Sequence, residues 1–170
     1  MLNRSMIRTA LTLALTAASY GAWAKETPGQ QFIAKAVQGN LAEVAMGQLA
    51  QQKANRDDVR AFGRTLEQDH SAANQQATAS ASTVNATVPT GPSKKQKADH
   101  DRLAKLSGTS FDREFVKHMV AGHKKDVGDY QKEAQRSDGQ VSDYAKATLP
   151  TLQKHLETAQ SLAKSGVSTQ

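Results

Sequence analysis

Four long segments carry apolar residues at three- and four-residue spacing and are joined through two very short links, which confines this chain to packed helices. The first covers about residues 30–53, with Ile33, Val37, Leu41 and Val44 recurring along one face. Asn55-Arg56-Asp57-Asp58 interrupts it and supplies a cap with early acids that suit a helix start. The second covers about residues 57–83, with Val59, Phe62, Leu66, Ala73 and Ala77 on one stripe. Pro89, Gly91 and Pro92 mark a loop, and a short basic helix over residues 94–106 follows. Thr109 or Ser110 is expected to cap a third long segment ending near Gly139, with Phe111, Phe115, Met119 and Val127 apolar. The last covers about residues 141–164 and contains Pro150, which removes a hydrogen bond and predicts a kink. Leu149, Leu152, Leu156 and Ala159 carry its stripe past the proline. Links this short force neighbours to run antiparallel. The expected fold is all-α: an antiparallel four-helix bundle with a short extra connector helix.

Residues 1–24 read as an export signal. Arg4 and Arg8 precede a short apolar run, and Ala22-Trp23-Ala24 sets small residues at −3 and −1 before Lys25. The run is about ten residues, half the roughly 20 needed to cross a bilayer. Cleavage after Ala24 places the mature chain in the periplasm or outside the cell. Residues 25–29 are then a linker, 30–164 the bundle and 165–170 a tail. Losing the two leader arginines takes the 22 basic and 16 acidic residues to 20 and 16, a net charge of +4. Trp23 and Tyr20 leave as well, so four Phe and two Tyr remain, too few for a base-stacking platform. Lys94, Lys95, Lys97, Arg102 and Lys105 form the one basic cluster, on a helix face expected to meet solvent. No nucleic-acid partner and no transmembrane segment in the mature chain are expected. The absence of cysteine excludes disulfides, thiolate metal sites and a thiol nucleophile.

Chemistry concentrates in the histidines. At 100° per residue, positions seven apart lie within about 20° of each other on a helix. His70 therefore shares a stripe with Val59, Leu66 and Ala77; His123 falls between Val116, Met119, Val127 and Tyr130; His155 lies over Thr148, Leu152, Ala159 and Leu162. His118 points away from His123, and His100 sits on the basic connector. Counted from the short links, His70 is level with Glu43, and His123 with His155, to within roughly one turn. Three imidazoles and one carboxylate, from four different helices, are thus expected to meet inside the bundle. Neutral imidazole is the commonest metal ligand, and three His with a carboxylate suit zinc first, iron or copper less selectively. Taken singly, such a histidine is usually a hydrogen-bonded core residue, and Asp69, Asp112, Asp126, Tyr130 and Tyr144 are available partners for that role. Glu67-Gln68-Asp69-His70 also has the Glu-x-x-His spacing of di-iron bundles, but as one copy where such centres use two. No phosphate-binding glycine loop, serine elbow or His-Glu-x-x-His is present.

The ordered set Phe32, Leu41-Ala42-Glu43-Val44, Val59-Arg60-Ala61-Phe62, Asp69-His70, Phe111-Asp112 with Phe115, Met119-Val120, His123, Thr148-Leu149-Pro150 and His155-Leu156 resembles the exported bacterial proteins of domain of unknown function DUF4142. The resemblance covers about residues 30–164. It implies a ferritin-like four-helix bundle of the cell envelope, often labelled an outer-membrane protein, and no established activity. It also implies that Glu43, Asp69, His70, Asp112, His123 and His155 belong to one pattern.

The expectation is therefore an exported protein holding one divalent metal through Glu43, His70, His123 and His155, with Asp69 and Asp112 orienting the rings. Its role would be metal handling or envelope stress tolerance, without turnover. A di-iron-type oxidase using Glu67, and a metal-free interaction module, are the alternatives.

Overall fold

A computed structural model of the chain describes residues 25–137 and 139–167. The expected leader, residues 1–24, lies outside the described residues. The protein is all-helical: α1 (Pro28–Lys53), α2 (Asp57–Thr83), α3 (Lys94–Ala104), α4 (Gly108–Ala134) and α5 (Gln140–Val167). Among the described residues, the only strand-like feature is a single bridge between Ala54 and Gly108.

Capping explains where the helices start. Pro28 opens α1 two residues before the apolar spacing does, because Thr27 and Gln30 form a reciprocal capping box. Ser93 and Gln96 repeat that device on α3. The side-chain cap expected from residues 55–58 does not form. Arg56 is the N-cap of α2 without a side-chain bond, and the amides of Asn55 and Arg56 donate to the Asp112 carboxylate, each at 3.0 Å. A residue of α4 thus caps the α1–α2 link. The N-cap of α4 is Ser107, not Thr109 or Ser110, and it too makes no side-chain cap bond. α5 continues through Pro150 as one helix and reaches Val167, so the expected tail begins as helix.

Three contacts fix the helix directions. Gln30 at the start of α1 donates to the Val84 carbonyl just past α2, at 2.7 Å. Ala54, after α1, meets Gly108, at the start of α4. Arg56 donates to the Leu162 carbonyl near the end of α5, at 3.1 Å. α2 and α4 therefore run one way and α1 and α5 the other, and the segment carrying α3 returns the chain along the length of the bundle. α1 packs chiefly on α2, and α4 on α5; α2 faces α5, and α1 faces α4.

The α1–α2 crossing is close. A Cβ added at Gly47 would stand 2.5 Å from the Gly63 carbonyl, and one at Gly63 would stand 2.7 Å from the Gly47 carbonyl. Only glycine at both positions lets the backbones approach so near. Seven residues before Gly47 is Asn40, and seven after Gly63 is His70, so an antiparallel crossing sets those two at one height.

Two apolar clusters fill the interior. One gathers Met46, Leu49, Phe62, Leu66, Phe111, Phe115, Met119 and Leu162; the other gathers Ile33, Val37, Ala77, Tyr130, Val141, Tyr144 and Leu152. Along each long helix the change from one cluster to the other brackets a polar residue. His70 lies between Leu66 and Ala77, His123 between Met119 and Tyr130, His155 between Leu152 and Ala159, and Asn40 between Val37 and Met46.

Candidate metal centre

His70 on α2, His123 on α4 and His155 on α5 are buried, at 4%, 1% and 1% exposure. Their ring centroids stand 5.3 to 5.7 Å apart. One nitrogen from each ring lies within 4.8 Å of the others. A common point then lies no more than about 2.8 Å from all three, and a ring shift of under roughly 1 Å reaches the 2.0–2.1 Å of a zinc–imidazole bond.

The partners of the rings decide which nitrogen is free. His123 Nδ1 is 3.1 Å from the Met119 carbonyl, which can only accept, so Nδ1 carries the hydrogen. His155 Nε2 is 2.8 Å from an Asp69 carboxylate oxygen, so Nε2 carries the hydrogen on that ring. His70 Nδ1 is 2.9 Å from Asn40 Oδ1. The Asn40 amide is itself oriented, because its Nδ2 donates to the Tyr144 hydroxyl at 3.0 Å, which pairs with Tyr130 at 3.2 Å. His70 therefore also donates from Nδ1. What remains on the three rings is His70 Nε2, His123 Nε2 and His155 Nδ1, all buried and none with a hydrogen-bond partner.

Electrostatics keep these nitrogens unprotonated. Burial, reinforced by the other two imidazoles, holds His70 well below the ordinary histidine range. Burial takes His123 down to about 4, with His155 adding to the effect. His155 is lowered by burial too, with Asp69 opposing. Three neutral rings, each with one buried and unpartnered nitrogen, in a polar gap between apolar clusters form a nitrogen donor set for a cation.

A model of the domain of unknown function DUF4142 matches residues 14–162 of the chain. The protein belongs to that family. The match begins inside the stretch expected to be a leader and covers all three histidines. No curated protein matches the chain, and no solved structure does.

The remaining candidates in this DUF4142 chain divide. Asp69 orients His155, as expected of a ring partner. Asp112 does not touch a ring: both its oxygens accept backbone amides at the α1–α2 link, 3.0 Å each. Glu43 is outside the group formed by the three histidines. It lines a cleft of about 410 Å³ between α1 and α4, together with Asp126, Asn40 and His70. Burial, then Asp126, raises the Glu43 carboxyl to about 8, and its Oε2 has no partner. Glu67, the carboxylate a di-iron centre would need, accepts from Gln48 at 2.8 Å and Gln51 at 2.6 Å on the α1–α2 face.

Asn40 escaped the sequence reading. The apolar stripe drawn through Leu41 and Val44 is turned slightly from the true buried line, which runs through Ile33, Ala36, Val37, Asn40 and Gly47. One signal was available. Asn40 and His70 are equidistant from Asn55, as His123 and His155 are from Gly139, so each pair mirrors about its own link.

Proposed function

We propose that this protein binds one divalent transition metal through His70 Nε2, His123 Nε2 and His155 Nδ1. The observation that carries the reading is the set of three buried lone pairs, close together and without any donor. A buried polar atom left unpartnered costs on the order of 1–3 kcal/mol, and a cation would satisfy all three at once. Asp69, Asn40 and the Met119 carbonyl each hold the other nitrogen of a ring, the arrangement that fixes ligand orientation in metal sites. An all-imidazole set suits zinc, with iron and copper accepted less selectively.

The helix order, two down and two up with a long return through α3, supports a ferritin-like four-helix bundle. The leader-like sequence of residues 1–24 supports export, and the role we assign is metal handling or stress tolerance in the envelope. Glu67, occupied by two glutamines, gives no support to an oxidase. Among the described residues no helix is long and apolar enough to cross a membrane.

Equilibrium dialysis of metal-free protein against Zn²⁺ should give one ion per chain. At a free concentration a hundred times the dissociation constant, binding stabilises by about 2.7 kcal/mol, a rise in Tm of roughly 5–10 °C. Substoichiometric zinc with no thermal shift overturns the reading. Because ligand imidazoles must be neutral, affinity should persist at about pH 6 and fall as pH approaches about 4, where His123 takes up a proton.

A further inference from the structure

The α1–α4 cleft has a feature that the three-histidine centre does not use. Of the three rings only His70 lines it, and His70 is 4% exposed with its Nε2 unpartnered. Glu43 lines the same cleft, with a buried and unpartnered Oε2. Across from it, Asp126 is the looser of two acids beside Lys125, whose ammonium lies 2.6 Å from Asp129 and 3.8 Å from Asp126. A cleft lined by two carboxyl groups and by one imidazole of the histidine cluster offers both hard oxygen and softer nitrogen donors.

We infer that this cleft is the loading site for the metal: a hydrated divalent cation is first held by Glu43 and Asp126, then passes to the histidines by way of His70. This rests on the metal-binding reading above. Asp126 raises the local cation concentration and speeds capture, an effect that salt screens, and Glu43, which keeps its proton up to about pH 8 in the empty cleft, releases it as the cation binds. Both carboxylates exchange with water ligands readily, whereas the three imidazoles hold the ion in a site shut off from solvent. The carboxylates therefore set the rate of loading, and the nitrogens set its end point.

Stopped-flow uptake of Co²⁺ by the metal-free full chain separates the two, because the visible band of cobalt reports imidazole coordination. The E43Q/D126N variant should load at least tenfold more slowly at low ionic strength, with the same final band and one ion per chain. Added salt should slow the wild type and leave the variant little changed. E67Q, altering an acid outside the cleft, should load like the wild type. Should E43Q/D126N fold poorly, Gly39→Phe serves instead: Gly39 lines the cleft and an added Cβ there meets nothing within 4 Å, so a side chain can start there without a clash and its ring obstructs entry. Wild-type rates in these variants overturn the loading site while leaving the histidine centre standing. Loss of the final band in E43Q/D126N overturns it too, by making a carboxylate a resident ligand. Failure of the wild type to take up Co²⁺ overturns both.

Discussion

On α4, Phe111, Phe115, Met119 and His123 follow one another along a single buried face, yet they belong to two kinds of interior. Around the phenylalanines, which stack at 5.5 Å, buried contacts are apolar and need only shape and volume. One turn beyond Met119 the same face meets His70 and His155, and each ring there has its own polar partner. The dry end is held by removal from water, the histidine layer by directed bonds that leave three lone pairs over. A region selected for stability alone has no reason to retain those lone pairs.

Substitutions can break that contrast. Phe115→Ala should cost about 3–5 kcal/mol in a denaturant melt, as a transfer loss plus a cavity in a well-packed cluster. His123→Leu should cost nothing, or stabilise, in metal-free protein near neutral pH. The Met119 carbonyl keeps its helical bond from the amide of residue 123, so no partner is orphaned. A loss comparable to that of Phe115→Ala would show that the histidine layer is structural.

The layer should also respond to acid where the dry end does not. Folded His123 takes up a proton only near 4, the unfolded imidazole near 6.5. Between those values the unfolded chain binds more protons, so stability is fully present above the window and falls as pH drops through it, by on the order of 3 kcal/mol for this group. His123→Leu should flatten that part of a stability–pH curve, and Phe115→Ala should only lower it. Glu43 tilts the other way: its folded carboxyl titrates at about 8, so the metal-free fold loses stability as pH rises from 4.5 towards 8.

Smaller effects sharpen the division between ligands and their supports. Asp69→Asn or Asn40→Leu should weaken zinc binding by about tenfold to a hundredfold, the usual consequence of freeing a ligand ring. Dialysis at graded free zinc would measure it. Glu67→Gln, which keeps a polar group against Gln48 and Gln51, should leave both the denaturant midpoint and the zinc affinity close to those of the wild type.

Helical spacing and link length are local properties, and they made the helices legible: α2 spans the expected residues, and seven of the nine stripe residues assigned to α2 and α4, Phe62, Leu66, Phe111 and Phe115 among them, are buried. His70, His123 and His155 were legible for the same reason, since a ring on an apolar stripe must enter the core. Height and rotation were less so. Matching levels to within one turn paired His70 with Glu43, but the glycine contact of α1 with α2 sets Asn40 there instead. Asp112, a plausible ring partner by spacing, is drawn to the α1–α2 link because two amides there have no helical acceptor.

The amino-acid order by itself determined which stretches are helical, which faces they bury and which three imidazoles enter the interior, because those follow from a fixed 100° step along each rod. Tertiary packing alone decided the register between rods, and with it the tautomer of every ring, the diversion of Asp112 and the placing of Glu43 in a cleft. Those depend on how closely two backbones approach, a distance set jointly by residues far apart in the chain.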